Sequence, residues 1–362
     1  MLWPFGKTVT EVDQLKQSDP RDEFRSLAGF MDALPDPVLA IDRSGIVLLA
    51  NDHVHSVLEV EPQGQHFTAA IRAPSVLEAV TAALTTQSAA HVEYELRVPT
   101  PRHFNVFVSP IGGQQPHGPA VLRVLKDLTR EQQIERMRAD FVANASHELR
   151  TPLASLTGFI ETLMGAAKDD AAARGKFLEL MRGQAARMKR LIDDLLSLSR
   201  IELNEHIRPA GTVDLAEVAR YAGDILSSLA KAENCELRID VADGLEVTGD
   251  RDELLQVLQN LIENALKYAS SGKTVEIKGR RDGAVIELSV RDRGPGIAAE
   301  HLPRLTERFY RVNAQESRAR GGTGLGLAIV KHILNRHRGR LVITSETGNG
   351  SVFSLRIPAR KL

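Results

Sequence analysis

The segment FVANASHELRTPL, residues 141–153, combines residue types that suit phosphoryl transfer. His147 and Glu148 are adjacent, and Thr151 follows His147 by four residues, which puts both on one helix face. An unperturbed histidine has a pKa of ~6.5, so near neutral pH its ring offers a free lone pair for attack on phosphorus. A neighbouring carboxylate can accept the other ring N–H. Taken alone, a His-Glu pair on a helix surface is commonplace.

Pro152 is the least expected residue of this segment. It cannot donate a hydrogen bond to the carbonyl of Glu148, and an interior proline costs a helix ~3 kcal/mol. We therefore expect the helix to bend beside His147.

A second candidate site lies in SVRDRGPGI, residues 289–297. By the two-residue period of a strand, Asp292 shares one face with the apolar residues before it. A carboxylate on a buried face needs a donor, and the exocyclic amine of adenine would serve, whereas guanine offers an acceptor there. Gly294 and Gly296 would let the backbone approach the ring. Alone, an Asp-Gly turn without a ligand is the simpler interpretation.

A glycine-rich segment, GGTGLGLAIVKHIL, begins at residue 321 and leads into a predicted helix. Backbone N–H groups at such a helix start suit phosphate oxygens. The segment is neither a Walker A loop nor the dinucleotide pattern, because it has no Gly-Lys-Ser/Thr and no preceding strand. The candidate phosphate-binding residues are Gly322, Thr323, Gly324, Leu325 and Gly326.

A predicted helix from Arg251 to Ala269 has a polar ridge beside its apolar stripe. Asn260, Asn264, Lys267 and Tyr268 follow helical spacing along this ridge. Asn264 offers an oxygen to Mg²⁺. Lys267 can contact phosphate, and Tyr268 can cover a purine face. A plain solvated ridge is the alternative interpretation.

The bulk composition excludes several classes of function. The 362 residues include 46 Lys and Arg against 47 Asp and Glu, so the charge gives no hint of nucleic-acid binding. Cys235 is the single cysteine, which excludes an internal disulfide and favours a reducing compartment such as the bacterial cytoplasm. No window approaches the ~20 apolar residues of a membrane-spanning helix, so we expect either a soluble protein or one that is associated with the membrane through an anchor that this sequence does not encode.

The chain divides into four predicted segments. Residues 1–25 are polar, and 26–128 read as a small α+β domain on an antiparallel sheet. Two helices over 129–204, interrupted by GAAKDDAAARG, form an antiparallel hairpin. One hairpin cannot bury both apolar stripes, so we expect it to dimerise into a four-helix bundle. Residues 212–361 read as a second α+β domain with a mixed sheet.

Together these motifs resemble known families. The asparagine ridge and the two glycine segments resemble the N, G1 and G2 boxes of GHKL proteins, whose ATP-binding domain is a Bergerat α/β sandwich. RLTERFYR (residues 304–311) resembles the F box. The intervening lid would then extend over 297–321, with Arg311, Arg318 and Arg320 as candidate phosphate contacts. FVANASHELRTPL resembles the H box of sensor histidine kinases, and 26–128 resembles a PAS domain.

The resemblance implies a function and its partners. His147 would be phosphorylated from ATP with Mg²⁺, and the phosphoryl group would pass to an aspartate in the receiver domain of a response regulator. Glu148 would orient the ring, and Glu148 with Thr151 would support hydrolysis of the phosphorylated partner. The protein would be a homodimer. Within the kinases, the H-box region is similar to that of the phosphate-regulon sensors.

Two other functions stay open at this point. One is a GHKL ATPase that only hydrolyses ATP, against which the H box argues. The other is a non-catalytic PAS scaffold with a degenerate kinase, against which intact Asn264, Asp292 and Gly324 argue.

Overall fold

The computed structural model describes residues 27–58, 60–96, 101–111, 119–268, 274–313, 317 and 320–360. The chain divides into two compact units, Met1–Asp140 and Phe141–Leu362. The predicted segment 1–25, Ala269 and Arg318 lie outside the described residues. No helix in the described part of the chain is long and apolar enough to span a bilayer.

The first unit is built on a five-stranded sheet in the order β2-β1-β5-β4-β3. Every neighbouring pair is antiparallel, which confirms the predicted antiparallel α+β fold. The strands are β1 (Val38–Ile41), β2 (Val47–Ala50), β3 (Ala90–Leu96), β4 (Arg102–Pro110) and β5 (Val121–Asp127). The helices α1 (Asp52–Leu58) and α2 (Pro74–Thr86) pack with them, and residues 27–32 are also helical. Alternate residues of β4 and β5 face a core that the helices cover.

Two long helices follow, α3 (Thr129–Met164) and α4 (Ala171–Leu203), as the apolar spacing predicts. The predicted interruption GAAKDDAAARG extends too far toward the C-terminus, because α4 begins at Ala171 and the last five residues of the interruption, AAARG, are helical. The side chain of Asp170 accepts the N–H groups of Ala172 and Ala173 at 2.9 Å, so it caps the helix four residues earlier than the glycine suggests.

The rest of the second unit is a mixed sheet covered by helices, in agreement with the predicted α/β sandwich. Its strand order is β11-β12-β10-β9-β7, with β7 parallel to β9 and the other pairs antiparallel. The strands of this sheet are β7 (Glu236–Val241), β9 (Thr274–Asp282), β10 (Val285–Asp292), β11 (Arg340–Glu346) and β12 (Gly350–Pro358). The helices are α5 (Leu215–Ala232), α6 (Arg251–Tyr268) and α7 (Gly326–Arg336). A separate pair of short strands is formed by β6 (Thr212–Asp214) and β8 (Glu246–Thr248).

The sheet and helices meet in one core that fixes the faces of β10 and α6. Alternate residues of β10 are buried, and Asp292 is the last of them, as predicted. On α6 the predicted stripe is buried: Leu254, Leu258, Leu261 and Ala265. The asparagine ridge therefore lies beside the stripe, at the edge of the core where α6 passes the end of β10.

Candidate functional site

His147 is exposed on α3, so its ring can meet a phosphoryl donor. Thr151 is also exposed, one turn along the helix, and its Oγ1 donates to the carbonyl oxygen of His147 at 3.2 Å. The two side chains predicted from the four-residue spacing therefore do occupy one face. Pro152 lies inside α3 and is buried.

Glu148 is buried and lies between two arginines. Arg311 binds its carboxylate in a bidentate pair, with Nη1 3.1 Å from Oε1 and Nη2 3.0 Å from Oε2. Arg187 of α4 donates to Oε2 at 3.2 Å. The sequence predicted that this carboxylate would serve the ring of His147, and the structure instead engages it with two cations. In this arrangement Glu148 anchors its turn of α3.

Arg311 connects that turn to the glycine-rich loop. Its Nη2 also donates to the carbonyl oxygens of Gly322 at 3.0 Å and Thr323 at 2.7 Å. The side chain is only 5% exposed. Its Nε is buried without a hydrogen-bond partner. One guanidinium thus contacts both the residue beside His147 and the predicted phosphate loop, and it retains one donor that a phosphate oxygen would satisfy.

Asp292 is 4% exposed at the end of β10. Its Oδ1 accepts the backbone N–H of Gly294 at 2.9 Å and of Ser351 at 3.3 Å. Burial raises the pKa of this carboxyl, and the two N–H donors act in the opposite direction. Because both bonds use Oδ1, Oδ2 is the oxygen that a ligand amine would meet.

The glycines after Asp292 are required by close backbone contacts. A side chain on Gly294 would come within 2.5 Å of the carbonyl oxygen of Tyr268. Gly296 has a φ of +71°, and a side chain there would collide with the carbonyl of Glu346. The segment therefore packs tightly between the end of α6 and the strand β11, beside Asp292.

Two residues of the polar ridge of α6, which the sequence assigned to a nucleotide, contact other protein side chains. Lys267 pairs with Glu263 at 3.1 Å, and the Tyr268 hydroxyl donates to Ser317 Oγ at 3.2 Å. The guanidinium of Arg320 lies 5.7 Å from the Tyr268 ring centroid, where a purine was expected. Asn264 is half-buried on the same ridge. Among the described residues, no group of three or more His, Cys, Asp or Glu is arranged to hold a metal.

The glycine-rich loop is held at the start of α7. Thr323 is buried, and its hydroxyl donates to Asp194 Oδ2 of α4 at 2.7 Å. Arg190 Nη1 donates to the carbonyl oxygen of Gly321 at 3.2 Å. A side chain on Gly326 would come within 2.6 Å of Asn260 Oδ1, so the loop and the ridge are in close contact.

Arg187 and Asp194 are site residues that the sequence reasoning missed. Burial raises the pKa of the Asp194 carboxyl, while the Thr323 hydroxyl lowers it. The signal was present in the periodicity, because both charged residues fall on the buried stripe of α4, which includes Leu191 and Leu198. A charge at an apolar position of a helix indicates a buried partner.

Two family models match this chain. The His Kinase A (phospho-acceptor) domain matches residues 137–204. The histidine kinase-, DNA gyrase B- and HSP90-like ATPase matches residues 249–361. The exposed histidine and the glycine-rich loop therefore lie in the two domains that together define one family. The chain belongs to the sensor histidine kinases.

Curated sensor kinases are similar to this chain over much of its length. PhoR, the phosphate regulon sensor of Pseudomonas aeruginosa, is 41% identical over 233 residues, which is 64% of this chain and 53% of that protein. SenX3 of Mycolicibacterium smegmatis is 39% identical, over 65% of this chain and 61% of that protein. WalK of Staphylococcus epidermidis is 31% identical over 95% of this chain and 57% of that protein. The chain thus spans between 53% and 61% of these relatives.

A solved histidine kinase has the same fold along most of the chain. The crystal structure of histidine kinase ThkA in complex with the response regulator TrrA matches with a TM-score of 0.50 and 18% identity. The match covers 92% of this chain and 98% of that one.

Proposed function

We propose that this sensor kinase transfers the γ-phosphoryl group of ATP to His147 and then to an aspartate of a response regulator. The main support is the Arg311 guanidinium, which contacts Glu148 on α3 and the carbonyls of Gly322 and Thr323 in the loop. The turn that bears the exposed His147 is therefore adjacent to the candidate phosphate loop, within one compact unit.

We propose the following roles in nucleotide binding. Asp292 accepts the adenine amine, and the glycines beside it admit the ring. Gly324 and Gly326 bind phosphate oxygens through the backbone at the start of α7. The N–H groups of Gly322 and Leu325 join them by exchanging their present acceptors, the carbonyl oxygen of Ser317 at 2.8 Å and Thr323 Oγ1 at 3.3 Å. The buried, unpaired Nε of Arg311 supports a phosphate contact there. Tyr268 covers the adenine ring after Arg320 leaves the face of the tyrosine ring, and Lys267 contacts phosphate after it separates from Glu263.

Magnesium would neutralise the charge that develops on the transferred phosphoryl group. We infer that Asn264 supplies an oxygen to it from the ridge of α6. The donor set fits Mg²⁺, which takes one or two protein oxygens and completes its shell with phosphate and water.

We also propose that Thr151 supports hydrolysis of the phosphorylated regulator. Its exposure one turn from His147 supports this, because a receiver domain bound at His147 would also reach Thr151.

We further propose 26–128 as a PAS module, 129–204 as the phosphotransfer domain and 212–361 as the ATP-binding domain. The likeness to PhoR favours phosphate starvation as the physiological setting, which a deletion strain grown on limiting phosphate would test.

The helical hairpin supports a homodimer. Most of the large apolar side chains that remain exposed lie along one face of each helix, namely Val142, Leu153, Ile160 and Met164 on α3 and Leu178, Ile192, Leu196 and Leu203 on α4, while Ile134, Met137 and Leu180 are exposed outside these stripes. Helical spacing places each set in one stripe. Two hairpins that join these stripes would form the four-helix bundle expected from the sequence.

Ile160→Glu is expected to weaken the dimer by about tenfold or more, because it places a carboxylate in the apolar seam. Analytical ultracentrifugation over a range of concentrations measures this. Lys176→Glu is the matched control, since it adds a carboxylate at an exposed position about 160° around α4 from Leu178. Equal dimer affinity in the wild type and both variants would contradict the proposed seam.

The kinase function is tested by incubation of the full chain with γ-labelled ATP and Mg²⁺. We expect protein-bound label that is lost in acid and retained in alkali, because a phosphoramidate hydrolyses in acid whereas a phosphoserine survives it. Release of labelled phosphate with no labelled protein would indicate an ATPase. Neither nucleotide binding nor label would indicate the non-catalytic scaffold.

A further inference from the structure

The interior of the first unit contains a buried charge that the proposed kinase function does not use. Arg123 lies on β5, the central strand of the sheet, and is 0% exposed. Its neighbours across the sheet are Leu39 of β1 and Val108 of β4, both of which are fully buried and apolar. It points to the face that the helices cover, together with Val121 and Leu125.

All three guanidinium nitrogens of Arg123 are buried without a hydrogen-bond partner among the described residues. The Phe67 ring lies 5.2 Å from its Cζ, and this cation–π contact replaces only part of the lost hydration. Burial lowers the pKa of Arg123 to about 10, so the side chain stays charged at neutral pH. Burial also raises the pKa of the nearby Tyr94 phenol, so Tyr94 does not supply a counter-charge.

The same unit satisfies its other buried polar side chain. Asn51 is 2% exposed, accepts the N–H of Val38 at 2.9 Å and donates to the carbonyls of Met31 at 3.0 Å and Asp36 at 2.9 Å. The lack of partners at Arg123 is therefore specific to that position. Because an uncompensated buried cation is strongly destabilising, the fold needs an anion there.

We propose that the first unit binds a small organic monocarboxylate between its sheet and helices, with the carboxylate paired to Arg123. The planar fork of a guanidinium matches a carboxylate in a bidentate pair. One buried cation balances one negative charge. The surrounding side chains, which include Leu39, Val108 and Phe67, are apolar, so the remainder of the ligand is apolar as well. Inorganic phosphate, a strongly hydrated anion that needs several donors, fits this interior less well.

The proposal is tested on the dialysed full chain by calorimetry with three carboxylates, namely acetate, butyrate and benzoate. The uncharged amides of the same acids and inorganic phosphate are the comparison ligands. We expect at least one carboxylate to raise the unfolding temperature by about 3 °C or more, with no effect of its amide or of phosphate. Hydrogen exchange of peptides from β4 and β5 assigns the change to this sheet.

Arg123→Met provides the decisive variant. It removes the buried charge with similar volume, so without ligand it is expected to unfold at an equal or higher temperature and to show no response to carboxylates. Arg43→Met, at an exposed arginine of the same unit, should respond as the wild type does.

The proposal would be overturned by a lower unfolding temperature for Arg123→Met without ligand, by the same carboxylate response in Arg123→Met as in the wild type, or by a response to phosphate alone. The absence of any carboxylate response in the wild type would also overturn it. None of these readouts depends on kinase activity, so the outcome is separate from that of the proposed function.

Discussion

Replacement of His147 by glutamine is expected to reduce phosphoprotein formation from ATP by at least about a thousandfold. Glutamine is neutral and of similar size, but its amide nitrogen has no basic lone pair, so the nucleophile is lost. ATP affinity should stay within about twofold of the wild-type value, because His147 is an exposed residue of α3 rather than part of the candidate nucleotide site. Single-turnover labelling and calorimetric ATP titration measure the two quantities.

His206→Gln is the matched control for this change. His206 is another exposed histidine of the same unit, and its loss should leave labelling unchanged. His147→Ala should behave as His147→Gln does, because both remove the ring. Label that persists in both His147 variants would assign the acceptor to another residue and would contradict the proposed mechanism.

Replacement of Asp292 by asparagine is expected to weaken ATP binding by about ten- to a hundredfold. The change converts a charge-assisted hydrogen bond to the adenine amine, worth ~1.5–3 kcal/mol, into a neutral or mismatched one. The wild type should also prefer ATP to GTP by a similar factor, because guanine offers an acceptor where adenine offers a donor. Competition between the two nucleotides measures that preference in both proteins.

The stability of Asp292→Asn separates a binding defect from misfolding. Burial raises the pKa of Asp292 in the folded protein, so its contribution to stability is present at low pH and is lost as pH rises through that value. At neutral pH the asparagine variant should therefore unfold at an equal or higher temperature. Asp282→Asn, at an exposed turn of the same hairpin, should alter neither quantity. A large loss of stability with unchanged ATP affinity would contradict the assigned role.

The sequence predicted those parts of the fold that depend on local periodicity. The two-residue period of β10 placed Asp292 on the buried face, and the helical spacing of α6 separated its apolar stripe from its asparagines. The error at the start of α4 has a local cause as well. GAAKDDAAARG looks uniformly unfavourable, yet Asp170 is an N-cap and the alanines after it are strong helix formers.

The contacts between distant segments could not be predicted in the same way. Glu148 and Arg311 are 163 residues apart in sequence, and neither residue carries a periodic signal that identifies its partner. Tyr268 was assigned to a nucleotide, whereas the distant residues Ser317 and Arg320 contact it in the structure. The Lys267–Glu263 pair is different, because its i,i+4 spacing within α6 was readable from the sequence. Partners in distant segments depend on the tertiary arrangement, which one sequence does not encode in its spacing.

The shared guanidinium of Arg311 has a thermodynamic consequence. The Nε of Arg311 is unpaired among the described residues, but a phosphate that also takes an N–H of Nη1 or Nη2 competes with Glu148 and with the carbonyls of Gly322 and Thr323 for those groups. Thermodynamic linkage makes such competition reciprocal. If displacement of Glu148 from Arg311 changes the nucleotide affinity by a given factor, nucleotide binding changes the equilibrium between the paired and displaced states of Glu148 by the same factor. Arg311 therefore couples nucleotide binding to the position of the α3 turn that carries Glu148, with the same coupling free energy in both directions.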